Sequence, residues 1–290
     1  MKSEGKLDYL KDTVSNSRIV KRAYRWKLRE FKPKEEIYIE SKRYIIKTVQ
    51  DLDELEKVLN LRYRIFYEER INKKRFINID YDKFDLICDH LIIIDKNIDQ
   101  IVATYRLISS TFADSYYSET FFHMDSIKNA KGVKLELGRA CVHADYRSGP
   151  VMVLLWKGLS EYMKKVTAKY LFGCSAIQTT NIVEVSLLYK YIHDLYLSSE
   201  DLRVVPKEKY RLNDLESFLQ AYDKFDVSTE RVETFIPPLL KGYFKAGSVI
   251  CGEPAIDKNL GSADFFTVLD VDAISKSHEK KYKKYQVVNG

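Results

Sequence analysis

The segment 135-LELGRACVHADYRSGPVMVLLWKGLSEYMKKV-166 changes its hydrophobic period partway along. Val133 to Val142 is rich in β-branched and small apolar residues and reads as a strand. Asp145 to Gly149 is polar and small, a turn. Pro150 stands where a first helical residue needs no backbone N–H. Val151, Leu154, Leu155, Leu159, Tyr162, Met163 and Val166 then recur at helical spacing on one apolar face. The unit is strand, basic turn, helix. Free amides at a helix start, next to Arg147, Ser148 and Gly149, suit a phosphate. An ordinary βα connection with a solvated Arg147 is the plainer alternative.

Working outward, Tyr44–Val49 reads as a strand and Asp51–Tyr67 as an amphipathic helix through Leu52, Leu55, Val58, Leu59, Ile65 and Phe66. A polar loop, Asn78–Asp85, precedes a hairpin of His90–Ile94 and Gln100–Ile108. Residues 109–131 are expected to be a helix or ordered loop. Tyr170–Ser175 is a strand, Asn181–Tyr191 a helix followed by a Leu/Tyr-rich turn. Residues 199–231 are charged enough to be a surface insertion or helical arm. Val249–Cys251 and Phe265–Leu269 close the pattern as short strands. This order predicts an α+β fold, a mixed central sheet flanked by helices.

The 290 residues are 45% apolar, with 21 Tyr and 14 Phe, enough for a substantial core. A net charge of +6 suits an acidic partner or an anionic membrane surface. No nucleic-acid signature is present. No apolar run is long enough to span a bilayer. The start, MKSEGKLDYL, lacks the apolar core of a secretory leader, so a cytoplasmic location is expected. Cys88, Cys141, Cys174 and Cys251 are far apart in apolar segments and read as reduced thiols. The basic run Arg18–Lys34 carries Trp26 and Phe31. It reads either as a segment lying on the inner face of the cytoplasmic membrane or as a helix packed on its own domain.

Seven ordered motifs carry a family resemblance: LRYRIFYEER (61–70), DYDKFDLICDHLIII (80–94), VATYRL (102–107), LELGRACVHADYRSG (135–149), YLFGCS (170–175), PPLLKGYFKAG (237–247) and CGEPAIDKNLGSADF (251–265). Together they resemble the hemolysin-like GNAT N-acyltransferases, the bacterial ornithine N-acyltransferases that begin ornithine-lipid synthesis and their glycine-lipid relatives. The resemblance covers about residues 44 to 272. It leaves a basic extension (1–43) and a basic tail (273–290) outside a GNAT-like domain that contains the charged insertion 199–231. The chain also shares the autoinducer (acyl-homoserine lactone) synthase pattern at Arg62, Phe66, Asp82, Asp85, Arg106, Glu136 and Arg139. It has Asn72 where that group carries a Trp, which favours the lipid branch.

The resemblance implies acyl carrier protein as partner. A fatty, often 3-hydroxylated, acyl group rides on its phosphopantetheine, an amino-acid amine is the acceptor, and no further cofactor or metal is needed. Glycine or another amino acid as acceptor, an autoinducer-synthase-like enzyme, and a non-catalytic module binding carrier protein or membrane are the competing readings.

Such a transfer needs an amine that loses a proton, a stabilised oxyanion and a held pantetheine arm. For the arm, the expectation is Ala140, Cys141 and Val142 along a splayed strand, then Arg147, Ser148, Gly149, Val151 and Met152 at the helix start. Glu136 leads as catalytic base, with Arg139 beside it and His90, His143 and the Asp82/Asp85 pair behind. The alternative for Glu136 is a structural salt bridge to Arg139 or Arg106. Glu136 and Arg139 would face opposite sides of a regular strand, so a bulge at Gly138 is expected. Asp82 and Asp85 would receive the acceptor's ammonium groups or merely cap their loop. Arg62 and Arg106 would bind its carboxylate or anchor the aspartates, with Phe66 nearby. A Cys/His zinc site or a Cys nucleophile is weakly supported by spacing. Phe121, Phe122, Leu155 and Phe172 are expected to line an acyl tunnel.

Overall fold

The computed structural model describes residues 24–72, 77–222 and 229–273. The start of the basic run, Arg18 to Ala23, and the basic tail Lys276–Lys284 lie outside the described residues. The chain divides into two compact units, residues 1–108 with 139–165, and 109–138 with 166–290.

In chain order the first unit contains β1 (Tyr38–Glu40), β2 (Tyr44–Thr48), α1 (Leu52–Tyr63), β3 (Asp89–Asp95) and β4 (Gln100–Ser109). The second opens with β5 (Phe122–His123) and α2 (Asp125–Asn129), and β6 (Val133–Val142) carries the chain from one unit to the other. Helix α3 (Val151–Lys165) completes the first unit. The second continues with β7 (Ala168–Ile177), α4 (Ile182–Tyr196), β8 (Val205–Pro206), α5 (Leu215–Tyr222), α6 (Thr229–Thr234), α7 (Pro238–Ala246), β9 (Val249–Ile250), β10 (Ala255–Asp257) and β11 (Ser262–Asp270).

In the first unit β1, β2, β3 and β4 pair antiparallel in that order. Helix α1 starts because Asp51 accepts the Glu54 amide at 2.8 Å while Glu54 accepts the Gln50 amide at 3.0 Å, a reciprocal cap. Its Leu55, Val58 and Leu59 pack with Leu28, Phe31, Val49 and Ile92, each such burial contributing roughly 1.5–3 kcal/mol. The expected helix to Tyr67 ends its regular part at Tyr63. Residues Arg64–Glu69 continue as a π turn, closed by the Arg70 amide on Ile65 O at 3.2 Å. Gly158 lets α3 lie on the strands: a Cβ there would sit 2.5 Å from Ile46 Cγ2. Tyr162 ties the same helix to β3 through a 2.6 Å bond to Asp89.

In the second unit β6 pairs parallel with β7, β7 antiparallel with β11, and β11 with β9 and β10, a mixed arrangement. The β6–β7 register runs from Val133↔Ala168 to Glu136↔Phe172. A Cβ on Gly173 would meet Leu137 O at 2.2 Å, so only glycine fits there. Helix α4 runs to Tyr196, past the expected end at Tyr191, and Asn181 caps it by accepting the Val183 amide at 2.9 Å. The charged stretch 199–231 contributes β8, which pairs with β5, and buried Val204 and Leu215. Residues 109–131 form a 3-10 turn (Tyr117–Thr120), β5 and α2. Phe122 and Phe172 pack on Phe266 at 5.4 and 5.6 Å, and Phe121 on Tyr210 at 4.8 Å. These rings, expected along an acyl tunnel, fill core space, as does fully buried Leu155 in the first unit. All four cysteines are free thiols.

Candidate active site

Three guanidinium groups and three carboxylates meet in the first unit. Arg62, at the last turn of α1, donates through Nε to Asp80 at 2.7 Å and through Nη1 and Nη2 to Asp85 at 2.6 and 3.2 Å. Arg106, on β4, donates through Nη1 to both Asp82 oxygens at 2.8 Å and to Asp85 at 3.2 Å. Arg139, on β6, reaches Asp80 at 3.3 Å and Asp82 at 3.4 Å, with its guanidinium 5.8 Å from the Phe66 ring centre. The acidic loop is wound to present these groups. Asp82 accepts the Phe84 amide and Asp85 the Asp82 amide, both at 2.8 Å, so capping and charge pairing use the same side chains.

Burial alone would drive each charge toward its neutral form. The opposite charges win. Burial raises the Asp85 carboxyl, but Arg62 and Arg106 outweigh that and hold it at about 2. Asp80 and Asp82 are likewise lowered, chiefly by Arg139 and Arg106 respectively against their own burial. Arg62 loses to desolvation but is raised by Asp80 and Asp85. The cluster is therefore ionised and formally neutral. Its side chains are at most 2% exposed except two, Asp82 at 24% and Arg139 at 13%. A small zwitterion meets a carboxylate and a guanidinium there, while Arg62 is an anchor rather than a group that could touch a substrate.

Arg139 has φ +50°, a left-handed conformation in mid-strand that is uncommon outside glycine. The expected break in alternation is present, displaced one residue from Gly138. Glu136 lies in the second unit. It accepts the Tyr117 amide at 2.7 Å, the Ser118 amide at 2.7 Å and the Ser118 hydroxyl at 2.5 Å, so it fixes the 3-10 turn. Neither a salt bridge to Arg106 nor a free base was needed to place it.

His90 is fully buried. Its Nε2 lies 3.2 Å from both Cys88 Sγ and Asp85 O, and its Nδ1 has no partner. Burial pushes the imidazole down to about 4, against the pull of Asp85. It is neutral at pH 7 and a weak base. Between its ordinary value near 6.5 and about 4, the unfolded chain binds more protons than the folded one. The contribution of His90 to stability is thus complete above 6.5 and lost on acidification through that window, on the order of 3 kcal/mol at full loss. His90→Gln is expected to flatten unfolding free energy against pH between 6.5 and 4, measured by denaturant titration; an unchanged slope would refute the assignment.

Asp85, Cys88 and His90 place possible ligand atoms within 4.8 Å of one another. They do not suit a cation: both Asp85 oxygens are taken and two guanidinium groups adjoin them. Burial raises the Cys88 thiol well above its usual range and the Cys141 thiol to about 12, so neither is a ready nucleophile. His143 is only half-buried and receives the Asp145 amide on Nδ1 at 3.4 Å.

On the expected donor side, Cys141 and Val142 are buried and Ala140 half-buried, and the His143 amide closes on Val102 O at 2.8 Å. The first intrahelical bond of α3 runs from Leu154 to Pro150 O at 3.0 Å, which leaves the amides of Val151, Met152 and Val153 at the helix start. Ser148 and Gly149 are exposed in front of them. Arg147 donates through Nε to Val142 O at 3.1 Å, and its fork is clamped bidentate by Glu69, Nη2 to Oε2 at 2.8 Å. Glu69 and Asp80 escaped the reading of the sequence. Asp80 was visible as one more acid in the loop; Glu69 gave no signal, since its partner lies 78 residues away.

Residues 61–157 match the model of the acetyltransferase (GNAT) domain. Fold and matched domain define a GNAT-fold acyltransferase. Over 238 residues the chain is 31% identical to an L-ornithine N(alpha)-acyltransferase of Brucella abortus, covering 77% of this chain and 82% of that one. It is 27% identical to an enzyme of the same name from Rhodobacter capsulatus, over 83% of this chain and 95% of that one. The chain belongs to the L-ornithine N(alpha)-acyltransferase family. Among solved structures, a CoA-dependent acyl-homoserine lactone synthase, BjaI, is similar at 16% identity and a TM-score of 0.46, over 80% of this chain and 82% of that one.

Proposed function

We propose that this protein transfers a fatty acyl group from acyl carrier protein to the α-amine of ornithine, yielding an N-acyl amino acid that begins an aminolipid. The observation that carries the reading is the neutral cluster that opens through Asp82 and Arg139. A zwitterionic amino acid can exchange into that pair, its ammonium on Asp82 and its carboxylate on Arg139. Asp82 is the exposed carboxylate of the cluster, so the proton released from the ammonium passes through it to water. The amine then attacks the thioester carbon, the C–S bond breaks and the thiol leaves. Glu136 serves by holding the Tyr117–Ser118 turn. The names borne by the relatives support ornithine among amino acids.

For the donor, the amides at the start of α3 and the Arg147 fork form the phosphate seat, and Glu69 must yield when the phosphate arrives. Arg147→Ala is expected to raise the donor KM while leaving kcat at saturating donor nearly unchanged, and Glu69→Gln to lower the donor KM. Initial-rate kinetics check both; an unchanged donor KM in Arg147→Ala would remove the seat. The reading as a whole is tested by incubating the purified protein with 3-hydroxyacyl carrier protein, or the matching acyl-CoA, and a panel of amino acids. N-acylornithine is the expected product. Absence of an N-acyl product from any amino acid would sink it.

A further inference from the structure

Nearly all the positive charge of the chain sits in one short run. Residues 18–34 hold eight Lys or Arg against Glu30 alone, a net +7 where the whole chain carries +6, so everything else together is slightly acidic. The described part of this run, residues 24–34, is a fixed strap. Residues 24–28 are helical, and Phe31 donates its amide to Leu28 O at 3.0 Å. Tyr24, Leu28 and Phe31 pack inward with Leu55, Val58 and Leu59 of α1. Arg25 is bound to Glu56 at 2.9 Å and to Asp53. At the far end the Lys34 and Glu35 amides donate to Asp89 at 2.8 and 2.9 Å.

What the strap turns outward is Trp26, Lys27, Arg29, Lys32 and Lys34, all exposed. Trp26 is 67% exposed, the most open of the large apolar side chains. A solvated basic face has no use for an open indole. An indole ringed by cations is the combination that partitions into the headgroup layer of an anionic bilayer, the ring at the acyl boundary and the ammonium and guanidinium groups among phosphates. We infer that residues 24–34 are a preformed docking strap for an anionic lipid surface, with Trp26 as the inserted group and Lys27, Arg29 and Lys32 as the phosphate contacts. The inference does not depend on which acyl transfer the protein performs.

Trp26 and Trp156 are the two tryptophans of the chain, so Trp156→Phe leaves Trp26 as the reporter. Its emission is expected to shift to the blue when vesicles of phosphatidylcholine mixed with phosphatidylglycerol are added, and to stay put with phosphatidylcholine alone. Co-sedimentation of the unaltered chain with the same vesicles gives an independent reading. The triple variant Lys27→Glu, Arg29→Glu, Lys32→Glu, checked for folding by circular dichroism, should bind about a hundredfold more weakly, and raised salt should release the unaltered chain. Equal binding to both vesicle types, no shift of Trp26 with binding, or binding untouched by the charge reversals would overturn it. So would a strap that captures acyl carrier protein but no vesicle.

Discussion

Arg62→Leu is expected to cost about 3–5 kcal/mol of unfolding free energy, the range found when one partner of a buried ion pair is removed. The change takes one guanidinium from two carboxylates that have no water to turn to, Asp80 and Asp85. Asp85 keeps its 3.2 Å contact with Arg106, but Asp80 keeps only the longer approach of Arg139. Both would be forced toward protonation, so the loss should be greatest at neutral pH and shrink on acidification. Arg62→Lys should recover little. A single ammonium cannot serve Nε to one carboxylate and a bidentate fork to the other. Neutralising the acids as well, in Arg62→Leu with Asp80→Asn, should restore part of the stability. Denaturant titration reads all three; a loss under about 1 kcal/mol for Arg62→Leu would show that the cluster does not hold the unit together.

Asp82→Ala is expected to lower kcat/KM for the acceptor by about a hundredfold to a thousandfold, equivalent to about 2.7–4 kcal/mol. The same side chain meets the acceptor ammonium, neutralises Arg106 and caps the acidic loop, so three functions fall together. Asp82→Asn keeps the cap and the shape and loses the charge. It should fall between the wild type and Asp82→Ala. The donor KM should stay within about twofold, because the donor seat at Arg147 shares no hydrogen bond with Asp82. Parallel acceptor and donor kinetics check this. Equal losses on both substrates would mean that the loop has collapsed, and no loss would move the acceptor elsewhere.

The strand, basic turn and helix of 133–166 were legible because the period of the apolar residues changes from two to about 3.6 within the run. The α+β pattern of a GNAT-like fold followed from their order. Arg62, Asp82, Asp85, Arg106 and Arg139 were legible as a set through motif spacing, and the structure brings these five together. Their division of labour was not. Which arginine is an anchor depends on burial, and burial at Arg62 is created by α1, the acidic loop and β4 closing on it from distant parts of the chain. The bulge was placed at Gly138 because glycine is the default residue for a positive φ. Arg139 takes that conformation instead, held by its side-chain partners. The end of α4 was set too early because no glycine or proline marks it, and the Lys190–Asp194 pair at 2.7 Å supports a further turn. The Glu69 clamp on Arg147 joins residues whose proximity no local pattern encodes.

The π turn at Arg64–Glu69 is in effect an inserted residue carried by a helix without being ejected from it. Its bookkeeping is angular. Deleting one residue within 64–69 would let the helix return to 3.6 residues per turn and swing everything after it by about 100°. Glu69 and Arg70 ride on that swing. The length of this segment, more than the identity of its residues, thus sets which carboxylate faces Arg147. Two relatives of equal composition but differing by one residue here would present their phosphate-binding arginine in opposite states, one masked and one open.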